Sequence, residues 1–229
     1  MEATGQSGVP QSYFHEPSLA SWCDNFGLSH QQFSSKKDTL SALFDTAIHR
    51  GTGDTGVFGL RLQRHSFAFF IQQLRYLHPE LASDVQRIQA VFGNTLFIYL
   101  TRPNKLDQAI SRLKAEQTGL WHRAADGSEL ERLTPPREAV YDSAGIARHI
   151  AELTRFDEEW LAWFERENLS PFRISYEALS VAPLNALETV LSMLGLDREI
   201  SRDVSPPTAK LSDDVSRAWA ERYHKERAS

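Results

Sequence analysis

Arg102 and Ser111 form the pattern with the most chemical content in this chain. The apolar run Phe97-Ile-Tyr-Leu-Thr-Arg102-Pro103 reads as a buried strand that delivers a guanidinium to the start of a helix, and Ser111 lies on that helix just beyond it. Folds of the α/β class hold anionic nucleotide ligands at such junctions. An arginine there grips a phosphate through two parallel charge-assisted bonds, and a serine hydroxyl adds a further contact. On spacing alone, pairing of Arg102 with a surface carboxylate and simple packing of Ser111 carry equal weight. A second strand-to-helix junction, Ile174-Ser-Tyr176-Glu177-Ala-Leu179, leads into Val190-Leu-Ser-Met-Leu194-Gly195-Leu196. Arg61, in the β-like run Val57-Phe-Gly-Leu-Arg61-Leu62, is another cation that can approach such a ligand or pair with an acidic neighbour. The eight histidines show no zinc-ligand spacing, and no G-x-x-x-x-G-K-[ST] loop occurs.

The elements that must position these residues follow from periodicity. Ser18 can cap a helix in which Leu19, Trp22, Cys23 and Phe26 recur at helical spacing until Gly27. Further helices are predicted over 36–49, 67–77, 83–92, 105–116 and 143–168, the last with Trp160, Trp163 and Phe164 on its core stripe. Pro183 starts another helix that Gly195 ends, and the polar tail is helical over 213–226. Pro103 suits the first helical position after the Phe97 run. Strands are predicted over 96–100, buried on both faces, and 171–175. Residues 123–137 read as a mobile surface insertion. Gly51-Thr-Gly53-Asp-Thr-Gly56 satisfies the letters of the dinucleotide fingerprint, but a helix precedes it and a β-like run follows. That is the reverse of the order a phosphate needs, so it is read as a loop. Strands alternating with helices give an α/β fold with a mainly parallel sheet in a single domain.

Composition narrows the partners. The chain has 229 residues, 41% of them hydrophobic, enough for a substantial core. Its formal net charge of −5 argues against a nucleic-acid or anionic-membrane surface, so an anion site must be local. One cysteine, Cys23, excludes an internal disulfide, and no run reaches the length of a transmembrane segment. A cytoplasmic location is expected.

The run from Arg102 and Ser111 through Lys114-Ala-Glu-Gln117-Thr118-Gly-Leu-Trp121 resembles the bacterial carbohydrate sulfotransferases typified by trehalose 2-sulfotransferase. The similarity extends to Pro10-Gln-Ser-Tyr13-Phe14, to Gly56-Val-Phe-Gly-Leu-Arg61 and to Ser216-Arg-Ala-Trp219-Ala-Glu-Arg222-Tyr223, and so covers nearly the whole chain. It implies a three-layer sandwich with a central, mainly parallel sheet, of the P-loop-like sulfotransferase fold. It also implies a sulfuryl donor, 3′-phosphoadenosine 5′-phosphosulfate, used without a metal, and a sugar or glycolipid hydroxyl as acceptor. Arg102 and Ser111 match the residues that hold the donor's 3′-phosphate, and Arg61 is expected near the donor, with pairing to an acidic neighbour equally open. Tyr13, Phe14, Lys114, Gln117, Thr118 and Trp121 are expected on the acceptor side, where an indole suits a sugar face and amides or hydroxyls suit its hydroxyls, with a core placement as the alternative for Trp121. Related enzymes can be dimers.

Two departures from the family pattern stand out. The family's glutamate base falls on Ser12, whose hydroxyl is too weakly basic for the role. Glu16, by its charge, and His15, by its ordinary pKa near neutrality, are the nearest substitutes, with a loop or capping role as the alternative for both. The family's first strand and its Ser, Arg and Gly-rich phosphosulfate loop have no counterpart here, so the chain is expected to be truncated at its N-terminus relative to the family. A non-catalytic relative that at most binds adenosine 3′,5′-bisphosphate is the competing expectation.

Overall fold

The computed structural model describes residues 2–29, 32–205, 208–209 and 213–228. The chain divides into two compact units. The first comprises residues 1–98, 159–172 and 184–204, and the second residues 99–158, 173–183 and 205–229.

The first unit is helical. Helix α1 (Leu19–Phe26) begins where the Ser18 hydroxyl accepts from the Ser21 N–H, and it ends at Gly27 in the left-handed conformation. Helix α2 (Lys36–Thr52) is capped by Ser35. Helix α3 spans Arg64–Leu77. Helix α4 (Asp84–Phe92) opens with a reciprocal capping box between Ser83 and Gln86. Aromatic rings dominate the interior: Phe14 and Trp22 are fully buried and meet edge to face at 4.8 Å, with Phe44 and Phe70 beside them. Phe67 packs on Trp160 and Trp163.

The Gly51 region is a packing device. Gly51 lies in the last turn of α2, where an added Cβ would sit 2.5 Å from the Phe58 ring and 2.9 Å from that of Tyr13. Gly51 therefore admits two aromatic rings, whereas a Cβ at Gly53 or Gly56 would meet nothing within 4 Å. The predicted strand after them is extended backbone with a single parallel bridge, Leu60 to Gln11.

The second unit holds the candidate site. Strand β1 (Ile98–Thr101) pairs with β4 (Phe172–Ser175) in a two-stranded sheet. Helix α5 (Lys105–Thr118) follows β1, and α6 (Ser143–Arg166) starts in this unit and ends in the first. A short helix, α7 (Tyr176–Val181), follows β4 directly, and α8 (Pro183–Met193) comes after it. Helix α9 (Asp214–Ala228) closes the chain and packs with α5 and α6 around Ala109, Ile110, Leu113, Ile146, Trp219 and Tyr223.

Several expectations are corrected here. The helix-rich, mixed α/β character holds, but the described strands do not assemble one broad parallel layer. Strands β2 (Leu120–Ala124) and β3 (Glu129–Arg132) form an antiparallel hairpin, extended by β5 (Thr208–Ala209) on the other side of β2. Residues expected to form a loose insertion therefore pair, helped by an Asp126 carboxylate that accepts from the backbone and hydroxyl of Ser128 at the turn. Strand β1 is buried on one face only: Tyr99 points inward, whereas Ile98 and Leu100 are about half exposed. The apolar run signalled a strand without telling which face was covered. Lys105, not Pro103, takes the first helical position of α5, and Asn104 caps it, its side chain accepting from the Asp107 N–H. The start of the polar tail, with Pro206 and Pro207, lies outside the described residues.

Candidate functional site

Arg102 follows the last residue of β1 and stands three positions before the start of α5. Its guanidinium lies over the Tyr176 ring, 4.4 Å from the centroid, and its Nε is 3.9 Å from a Glu177 carboxylate oxygen. That separation is beyond hydrogen-bond length, and Arg102 Nε is buried without a hydrogen-bond partner among the described residues. The side chain is 17% exposed and Glu177 is 45% exposed. The guanidinium is thus held by stacking and left short of hydrogen bonds, which is the condition of a group that can accept an anion. The Ser175 hydroxyl caps α7 by accepting from Ala178 N–H, and this places Tyr176 and Glu177 in the first turn of that helix.

Behind this group the sheet end is pinned. Lys105 Nζ lies 2.5 Å from Asp157, which also accepts a 3.3 Å bond from the Thr101 hydroxyl. Burial pushes the nearby Tyr99 phenol up, with Thr101 opposing and Asp157 reinforcing the shift. Ser111 is half-buried on the second turn of α5, and no hydrogen bond joins its hydroxyl to Arg102 or to any other described residue.

The other expected residues of this unit are engaged within the fold. Lys114 forms an ion pair with Asp213 at 2.5 Å and donates to the Ser216 hydroxyl at 2.9 Å. Gln117 exchanges two bonds with the Val140 backbone, at 3.0 and 2.8 Å. The Thr118 hydroxyl donates to the Lys114 carbonyl at 2.8 Å and accepts from Leu120 N–H. Trp121 is half-buried on β2. Lys114 thus fastens α5 to α9, and Gln117 fastens it to the segment before α6.

The remaining expected residues belong to the first unit. Phe14 is fully buried among Trp22, Phe26, Phe44 and Phe70, a packing position with no surface to offer an acceptor. The Tyr13 hydroxyl donates to the Val9 carbonyl at 2.8 Å, and its ring stacks on Phe58. His15 is exposed, its ring edge-on to His65 with centroids 4.6 Å apart, and the His65 Nε2 bonds the His15 carbonyl at 2.9 Å. Glu16 is exposed, and its carbonyl accepts from the Trp22 indole. Ser12 accepts from Gln63 Nε2 at 2.7 Å. Arg61 reaches the Gln11 amide oxygen at 3.4 Å.

No group of three His, Cys, Asp or Glu side chains is placed to hold a metal among the described residues, and no described helix is long and apolar enough to cross a membrane. A family model described as Stf0 sulphotransferase matches residues 1–226. The chain belongs to that family. Among its relatives, a trehalose 2-sulfotransferase of Mycobacterium tuberculosis is 28% identical over 253 residues, covering 99% of this chain and 88% of the relative. A trehalose 2-sulfotransferase of Mycolicibacterium smegmatis is 27% identical over 245 residues, with the same coverage of both chains. Within this Stf0 member, Arg102 contacts Tyr176 and Glu177, which the sequence alone does not assign to the site. Tyr176 and Glu177 appeared only as a second strand-to-helix junction. Their signal was that both junctions end in polar residues, and the pairing of β1 with β4 brings those two ends together.

Proposed function

We propose that this Stf0 sulphotransferase moves a sulfuryl group from 3′-phosphoadenosine 5′-phosphosulfate to a hydroxyl of a carbohydrate or glycolipid. The family membership supports the transferase class, and the observation that carries the donor assignment is the stacked Arg102 guanidinium whose buried Nε lacks a hydrogen-bond partner. Arg102 and the uncommitted Ser111 hydroxyl hold the 3′-phosphate of the donor. In the reaction the acceptor oxygen bonds to sulfur as the sulfur bond to the bridging phosphate oxygen breaks. The electron pair leaves with adenosine 3′,5′-bisphosphate, and the acceptor proton passes to a base. Positioning and stabilisation of the leaving phosphate supply most of the acceleration. Glu16 and His15 are the proposed bases, both exposed on the loop before α1.

The names of the two relatives support a trehalose-like acceptor. A non-catalytic reading keeps one specific support: Ser12 stands where the resemblance expects a glutamate, and its hydroxyl is engaged by Gln63. Calorimetry with adenosine 3′,5′-bisphosphate tests the donor site. Arg102→Ala should weaken binding by at least about tenfold, as expected for loss of a charged hydrogen-bond partner. Unchanged affinity would remove Arg102 from the site. Binding with no sulfuryl transfer to trehalose or other sugars would favour the non-catalytic reading.

A further inference from the structure

Resting on the donor-site reading of Arg102, we infer that Tyr176 and Glu177 set how strongly this arginine binds an anion, Tyr176 as a positioning residue and Glu177 as an internal carboxylate that competes with the ligand. The geometry separates the two effects. Tyr176 offers a ring face 4.4 Å from the guanidinium, which fixes the plane of the N–H fork without using any of its donors. An arginine ordered in this way loses less freedom when it meets a phosphate than one extended into solvent.

Glu177 acts in the opposite sense. Its carboxylate oxygen stands 3.9 Å from Arg102 Nε, close enough for charge attraction and too far for a hydrogen bond. The two residues are adjacent in α7, with Ser175 capping the helix, so ring and carboxylate are presented together. An incoming phosphate would take the hydrogen bonds that Glu177 does not make while lying beside its negative charge. Glu177 thereby holds the empty site near neutrality and lowers its affinity for dianions. Product release benefits, because adenosine 3′,5′-bisphosphate leaves against a carboxylate ready to take back the cation.

The test is calorimetry of adenosine 3′,5′-bisphosphate binding by the full chain, in one buffer of low ionic strength. Glu177→Gln keeps the shape and removes the charge, and should tighten binding by about 3- to 5-fold, the range expected for a partly exposed ion pair. Tyr176→Leu should weaken binding by about 3- to 10-fold through loss of the ring face, whereas Tyr176→Phe should stay within about twofold of the wild type. Should Tyr176→Leu fail to fold, by circular dichroism, Glu177→Gln and Tyr176→Phe still decide. If Arg102→Ala weakens binding and Glu177→Gln leaves it unchanged or weaker, the competing carboxylate is refuted and the donor site stands. If the wild type does not bind, or Arg102→Ala binds equally well, both readings fall together.

Discussion

Replacing Asp84 with alanine should cost this protein more stability than any surface ion-pair change. Asp84 is the first residue of α4 and only 2% exposed. Its carboxylate takes three bonds from Arg75 at 3.0–3.1 Å, one from Arg87 at 3.3 Å and one from the Trp163 indole at 3.2 Å, with Arg166 at 3.5 Å. Arg75 and Arg166 are more than half exposed and can turn to water when the carboxylate goes. Arg87, at 10% exposure, and the buried Trp163 N–H cannot. Stranding a buried cation and a buried donor costs about 3–5 kcal/mol. For a chain of this length that corresponds to a fall in melting temperature of roughly 6–20 °C. Urea denaturation followed by circular dichroism measures it. Asp84→Asn, which keeps an acceptor for Trp163, should lose less, and Arg75→Ala should lose about 1 kcal/mol because Arg87 still partners the acid. An Asp84→Ala loss below about 1 kcal/mol, or one matched by Arg75→Ala, would refute the idea that the buried acid anchors this cluster.

Two further outcomes test placements that differ from the sequence expectation. Phe14→Ala should destabilise by about 3–5 kcal/mol in chemical denaturation, since it empties a fully enclosed ring site. A stable variant with altered sugar binding would return Phe14 to the acceptor side. At the other end of the chain, burial pushes the Asp213 carboxyl up, but its bond from the Lys114 ammonium and those from Ser216 outweigh this and bring it from its ordinary 3.8 down to about 2. A depressed acid stabilises the fold above its unfolded pKa and loses that contribution as pH falls through the folded value, here between about pH 4 and pH 2. Asp213 is about half exposed, so solvent screening limits the effect to about 1 kcal/mol or less. Asp213→Asn should flatten this part of the stability profile, and an unchanged acid slope would exclude the pair as its source.

The sequence was read most successfully where local chemistry decides the outcome. Ser18, Ser83 and Gly27 mark helix ends because a hydroxyl or a left-handed residue satisfies backbone groups within a few positions. The stripe of Trp163 and Phe164 was legible as core for the same reason, a period fixed by one helix. Tertiary context decided the rest. Nothing in Phe97–Leu100 tells that one face of β1 stays exposed, because covering layers are contributed by distant segments. Lys114, Gln117 and Thr118 have the side chains of a sugar site, but their spacing does not reveal the bonds they make to Asp213, Val140 and the adjacent turn. Arg102 was singled out from its strand end, yet its stacking partner comes from a junction more than seventy positions later, which periodicity does not connect.

The ring-filled interior of the first unit also gives it a voice of its own in spectroscopy. Trp22, Trp160 and Trp163 are locked against phenylalanine rings at fixed tilts, an asymmetric arrangement that produces near-ultraviolet ellipticity. The other unit contributes only Trp121 and Trp219. Loss of near-ultraviolet signal with helix content retained would therefore report loosening of the aromatic interior before the backbone unravels.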